Sequence, residues 1–331
     1  MTPALDQLAA DATVLDRFYA ERPNRRYMPG RTHDLDGRPV PEIDRWQLQF
    51  HMAPHVIRTA CPGNGAGKST VIACEIDWWN GGGHPWPHEI PYHRPRQCIW
   101  IAQKHQQWEF MKKVIEPWWP RDVVASWRGQ PHFDYTWPDG STLSIITSET
   151  HWTTVQGIEP DLVVGDEEIP PQLAREMRMR RRSNSRTRFV FNGTATQGIS
   201  WVYRDLYLPW KAYHEARGIM DEREMMRAQL HDYGDINPVL AGLPGIWCWP
   251  QGGHYDNPTA TRQTWAFYQT QLAHFSSAER AVRAHGGFRD FASTPVFNLD
   301  ALERMRKYLT KGVNGFPVES GNGNGHPKEV V

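Results

Sequence analysis

Apolar positions along this chain switch between two spacings. From about Trp46 onward, short apolar runs alternate with longer segments whose apolar residues recur every three to four positions, the order expected of βαβ units in a parallel sheet. HVIRTAC (55–61) reads as the first strand, a helix follows over 68–79, CIWIA (98–102) is the next strand, and a second helix covers about 105–115. HFDYTW (132–137), the Pro-Asp-Gly turn at 138–140 and STLSIITS (141–148) predict an antiparallel hairpin, because the turn residues supply the bend between two strand-like runs. The most apolar strand is DLVVGDEE (161–168), and an Arg-rich helix and the strand RFVFNGT (188–194) come after it. Past Asp235 the pattern turns helical, with 262–288 predicting one or two amphipathic helices ended by Gly286 and Gly287.

The flanks behave differently. Residues 1–45 lose periodicity after an opening amphipathic stretch, which predicts a short helix and then an irregular arm. The stretch 312–331, rich in Gly and Asn, cannot bury enough apolar surface to order itself.

Composition narrows the picture. A chain of 331 residues can hold one large α/β core plus a small satellite. It has no run of about 18 apolar residues and no basic-then-apolar leader, so the expectation is a soluble, intracellular protein with no membrane partner. Cys61, Cys74, Cys98 and Cys248 form no CxxC pair, which points to reduced thiols rather than a zinc site or a disulfide framework. Its 37 basic and 37 acidic residues cancel, so any nucleic-acid binding must be local. The sixteen tryptophans, often beside Pro, Gly or His, suit anchored loops better than a cofactor site, and His84, His88 and His93 match no metal-ligand spacing.

Candidate chemistry concentrates at three strand ends. Gly63, Asn64, Gly65, Ala66, Gly67, Lys68, Ser69 and Thr70 follow a predicted strand and open a predicted helix, the context a phosphate-binding loop requires. Glycines let successive N–H groups turn inward, Lys68 would reach the β- and γ-phosphates of ATP, and the Ser69 hydroxyl would ligate Mg2+. The usual first glycine of that motif is Pro62 here. LVVG (162–165) delivers Asp166, Glu167 and Glu168 to the end of a buried strand, the edge where open α/β sheets bind ligands. Asp166 suits the metal and Glu167 suits polarising an attacking water, with Glu168 a lesser candidate. Standing alone, such an acidic cluster is a solvated turn, and the glycine loop upstream changes that balance. Thr194, Ala195 and Thr196 end the third strand, where small hydroxyls can sense the γ-phosphate. Among the arginines just after the acidic strand, Arg180, Arg181 and Arg182 are candidates for DNA contact or for an arginine finger, against the plain alternative of a solvated helix face pairing with Glu167, Glu168 and Glu176.

These three motifs, in this order and spacing, resemble the phosphate loop, acidic strand and coupling motif of tailed-phage terminase large subunits. TVQGIEPDLVVGDEEIPPQLAREMRMR (154–180), TATQGISWVYRDLY (194–207), DINP (235–238) and HGGFRD (285–290) extend the likeness over about 45–300. The resemblance implies a P-loop NTPase fold with a mostly parallel sheet flanked by helices, plus a small helical subdomain. It also implies an arm over 1–45, an ATPase core over 46–240, a helical subdomain over 241–311 and a disordered tail over 312–331. Gln47 then looks like the adenine contact, with Gln49 the alternative and Trp46 a stacking partner. The expected activity is Mg2+-dependent ATP hydrolysis that drives double-stranded DNA into a procapsid. Expected partners are the portal protein, a small terminase subunit and further copies in a homo-oligomeric ring, in the host cytoplasm. Residues after Asp300 leave no room for the family's nuclease domain, so the chain is expected not to cut DNA. The alternatives are a catalytically weak remnant or assembly protein, and another P-loop DNA-remodelling ATPase.

Overall fold

The computed structural model describes residues 23–81, 83–86, 95–102, 110–127, 133–167, 169–180, 187–196, 200–229 and 245–288. All of them belong to the first of two compact units, Met1–Phe291, while Ala292–Val331 and the expected tail lie outside the described residues.

Eight strands among the described residues form one sheet: β1 (Ile57–Ala60), β2 (Gln97–Ala102), β3 (Val124–Trp127), β4 (Phe133–Thr136), β5 (Thr142–Thr147), β6 (Leu162–Asp166), β7 (Arg188–Asn192) and β8 (Ile246–Trp249). They lie in the order β3-β4-β5-β2-β6-β7-β1-β8. Every pairing from β5 across to β8 is parallel, and β4 alone runs against its neighbours. Strands β6 and β7 are buried along their whole length, which is why they read as continuous apolar runs rather than alternating ones. Gly165 has a packing reason: a Cβ there would meet the Phe191 ring at 2.7 Å.

The expected hairpin is present, with Phe133–Thr136 antiparallel to Thr142–Thr147. Two strands escaped the sequence reading. β3 is an edge strand of four residues that exposes Val124. β8 is a four-residue apolar run in a region that otherwise reads as helical, too short for periodicity to assign. Pairing with β1 makes it a strand, so the core sheet reaches past residue 240.

Helices cover the sheet. α1 (Trp46–Met52) precedes β1 and was not anticipated, α2 (Lys68–Gly81) follows it, and α3 (Pro171–Met179) is the Arg-rich helix, burying Leu173, Ala174 and Met177. Where a helix was expected to end near 115, a π-type turn over Met111–Ile115 passes into a 3-10 turn over Glu116–Trp118, with Pro117 barring regular continuation. α4 (Leu208–Glu215) and α5 (Glu222–Ala228) follow β7. The 262–288 segment forms α6 (Arg262–Leu272) and α7 (Ser277–His285), the second ended by Gly286 at φ 73°.

α2 is buried on nearly every side and carries polar residues inward. Glu75 meets the Arg58 guanidinium and accepts from Trp79 Nε1 at 3.0 Å, while Asp77 accepts from Asn24 and Trp137 Nε1, each at 2.7 Å. The Trp119, Trp201 and Trp210 indoles likewise donate to buried oxygens, so these tryptophans serve as structural anchors. All four cysteines are buried and none is in a disulfide, and among the described residues no helix is long and apolar enough to cross a membrane.

Candidate functional site

The glycine-rich loop leaves β1 and enters the first turn of α2, whose leading N–H groups have no partner within the helix. Gly65 and Gly67 take φ of 73° and 89°, conformations that L side chains rarely adopt, which explains why glycine stands at both positions. The loop is gripped from outside. Gly63 N–H donates to Gly252 O and Asn64 N–H to Arg283 O, each at 2.7 Å, while Asn257 Nδ2 donates to Gly65 O at 2.9 Å. A Cβ on Gly63 would stand 2.4 Å from Arg283 O and 2.8 Å from Ala284 C. Gly63→Ala must therefore push the last turn of α7 away and is expected to cost about 1–3 kcal/mol of stability, read as a lower urea midpoint. An unchanged midpoint would show that α7 yields without cost.

Lys68 turns its ammonium back across the loop, donating to Pro62 O at 3.2 Å, Gly63 O at 3.0 Å and Thr194 Oγ1 at 2.7 Å. Thr194 passes its own hydroxyl hydrogen to Asn64 Oδ1 at 2.7 Å, and its N–H donates to Glu167 Oε2 at 2.8 Å. Three strand ends distant in sequence are thereby joined in one hydrogen-bonded chain. Glu167 reaches it by a left-handed backbone, φ 59°, at the tip of β6, and Gly193 gives it room, since a Cβ there would lie 2.9 Å from Glu167 Cα.

Burial shapes the electrostatics. Desolvation lowers the Lys68 pKa against the pull of Glu167 and Asp166, and it pushes the Asp166 carboxyl up to about 7, helped by Glu167 and opposed by Lys68. Asp166 is a buried carboxyl at the tip of β6, and carboxylate and hydroxyl oxygens are the donors that suit Mg2+. Ala195 is buried behind Thr194, and Glu168 lies outside the described residues.

α1, ahead of β1, also reaches the loop. Gln47 is buried, accepts from Gly30 N–H at 2.8 Å and the Tyr27 hydroxyl at 3.2 Å, and donates to Ala66 O at 2.7 Å. It braces the loop backbone in this structure. Trp46 is buried edge-on to Phe50, and Gln49 donates to Glu42 O at 2.8 Å. Arg180 pairs with Glu176, and Arg178 with Asp205 at 3.1 Å. Arg181 and Arg182 lie outside the described residues.

His51, Glu75 and His84 bring ligand-type atoms within 4.8 Å of one another, a grouping that the sequence spacing hid. Arg58 already balances the Glu75 charge, His51 Nδ1 lies 2.6 Å from Glu75 Oε2, and burial depresses the His51 pKa to about 4. The three form a hydrogen-bonded charge network behind the loop. His88 and His93 lie outside the described residues.

A glycine-rich loop between a central strand and a buried helix, faced by carboxylates at the tip of the next strand but one, defines a candidate nucleotide site of the phosphate-loop kind. No protein-family model and no curated protein sequence matches the chain. Among solved structures it is similar to the large terminase of the thermophilic bacteriophage D6E in complex with ADP, at 12% identity over 71% of this chain and 50% of that one, with a TM-score of 0.45. It is similar to the Thermus phage P74-26 large terminase ATPase domain at 14% identity, over 76% of this chain and 94% of that one, TM-score 0.45. A third likeness is to the HK97 bacteriophage large terminase at 13% identity, over 77% and 52%, TM-score 0.44. The chain thus spans about half the length of the D6E and HK97 proteins.

Proposed function

We propose that this chain binds ATP with Mg2+ at the Lys68 loop and hydrolyses it to drive double-stranded DNA during viral genome packaging. The observation that carries the ATPase reading is the chain Glu167–Thr194–Lys68, with Asn64 on the same hydroxyl, because it unites the loop, the acidic strand tip and the third strand end. The packaging role rests on the motif resemblance in the sequence. Lys68 holds phosphate charge, Ser69 and Asp166 hold the cation, Glu167 takes a proton from the attacking water, and Thr194, Ala195 and Thr196 couple the site to neighbouring parts. The cation, when bound, neutralises charge on the phosphate oxygens. Gln47 as the adenine contact and Arg180, Arg181 and Arg182 as DNA or finger residues belong to the same proposal. So do a portal protein, a small terminase subunit and a homo-oligomeric ring as partners.

Steady-state ATP hydrolysis with Mg2+, with and without double-stranded DNA, tests it. Hydrolysis that DNA accelerates is expected. A chain that neither binds nor hydrolyses ATP at high protein concentration would instead favour an assembly role, and hydrolysis indifferent to DNA would sink the packaging reading alone.

A further inference from the structure

Asn192 ends β7 as a polar residue on a strand buried along its whole length, and no motif accounts for it. It is 1% exposed. Its register partners are Ala60 of β1 on one side and Asp166 of β6 on the other, so in a parallel sheet the three side chains share one face. That face is the one α2 covers, because Asn192 Nδ2 donates a long hydrogen bond of 3.4 Å to Lys68 O. The amide nitrogen is thereby directed at the loop. The carboxamide oxygen is buried with no hydrogen-bond partner among the described residues.

A buried acceptor left unpaired costs about 1–3 kcal/mol, so a site that keeps one needs a donor arriving from outside. The neighbouring side chains do not supply it. Lys68 already has three acceptors for its three N–H bonds, in Pro62 O, Gly63 O and Thr194 Oγ1. Glu167 as a carboxylate only accepts, and so does Asp166 in the ionised form that holds a cation. Mg2+, by contrast, keeps several of its waters, and each is a hydrogen-bond donor.

We propose that Asn192 is a positioning residue whose carboxamide oxygen accepts a hydrogen bond from a water carried by the divalent cation at Ser69 and Asp166. This rests on the nucleotide-site reading above and adds a residue to it. Outer partners of this kind orient the metal's ligands, and their loss weakens metal affinity by about 10–100-fold.

The test is binding of a fluorescent N-methylanthraniloyl-ATP to the full chain, in EDTA and across a Mg2+ titration. For Asn192→Ala the Mg2+ midpoint is expected to rise about tenfold or more, with EDTA binding unchanged. Asn192→Asp keeps an oxygen acceptor at the same place and is expected to hold the midpoint at or below that of the unmodified chain. An unchanged midpoint in Asn192→Ala overturns the proposal. So does an equal loss of binding in EDTA, which would mean that the residue serves the nucleotide or the fold directly. So does Asn192→Asp behaving like Asn192→Ala, which would assign the effect to the N–H donated to Lys68. Absence of binding by the unmodified chain would sink the site reading itself and is distinguishable from all of these.

Discussion

Lys68→Ala and Glu167→Gln are each expected to remove most ATP hydrolysis, and to differ in what they do to binding. Lys68 is the one cation in the chain of hydrogen bonds that crosses the site, so its loss removes charge stabilisation worth about 10²-fold or more in rate and weakens nucleotide binding as well. Glu167→Gln keeps an oxygen able to accept from Thr194 N–H, so the ground-state arrangement survives while the proton acceptor does not. A positioned general base contributes about 10²–10⁴-fold, so kcat is expected to fall by that order with affinity for the fluorescent nucleotide retained. The measurement is single-turnover hydrolysis alongside equilibrium binding. A Glu167→Gln chain that hydrolyses normally would remove Glu167 from its assigned role and leave the acid to be sought elsewhere.

Glu75→Ala is expected to cost about 3–5 kcal/mol of folding stability, because it strands the Arg58 guanidinium, itself 1% exposed, without its counter-charge. Replacing both partners, Arg58→Met with Glu75→Leu, is expected to cost much less than Glu75→Ala alone, since no uncompensated charge then remains. Urea midpoints at constant slope decide it. The network also sets a pH dependence. Burial outweighs the hydrogen bond to Glu75 and depresses the His51 pKa from 6.5 to about 4, so the folded chain takes up this proton later than the unfolded one. The stability it contributes is complete above pH 6.5 and is lost as pH falls toward 4. Against the upward push of burial, Arg58, His84 and His51 hold Glu75 well below its ordinary 4.5, which adds to the acid loss below that value. Stability that is flat between pH 7 and 4 would contradict a neutral His51.

Much of the fold was legible because its signals are local. β2, β6 and β7 carry continuous apolar runs, as buried strands of a parallel sheet do, and the Pro-Asp-Gly turn marks its own hairpin. The glycine loop was legible too, since its glycines at 65 and 67 occupy backbone conformations that other residues rarely adopt. The same cannot be said of β3 and β8, four residues each, whose strand character comes from the neighbour they pair with. Nor could spacing reveal that Gly63 abuts the last turn of α7, more than two hundred residues later.

For the site, the sequence by itself determined which residue types could carry the chemistry, Lys68, Ser69, Asp166, Glu167 and Thr194, because each ends or begins an element whose type it announces. Only the tertiary structure decided that Thr194 links Lys68 to Glu167, that Gln47 braces Ala66, that Asn192 stands between the loop strand and the acidic strand, and that His51, Arg58 and His84 converge on Glu75. The physical reason is common to all four. Periodicity and turn chemistry act over a few residues, whereas strand order and the burial of a polar side chain are settled between segments that meet only when the sheet has assembled.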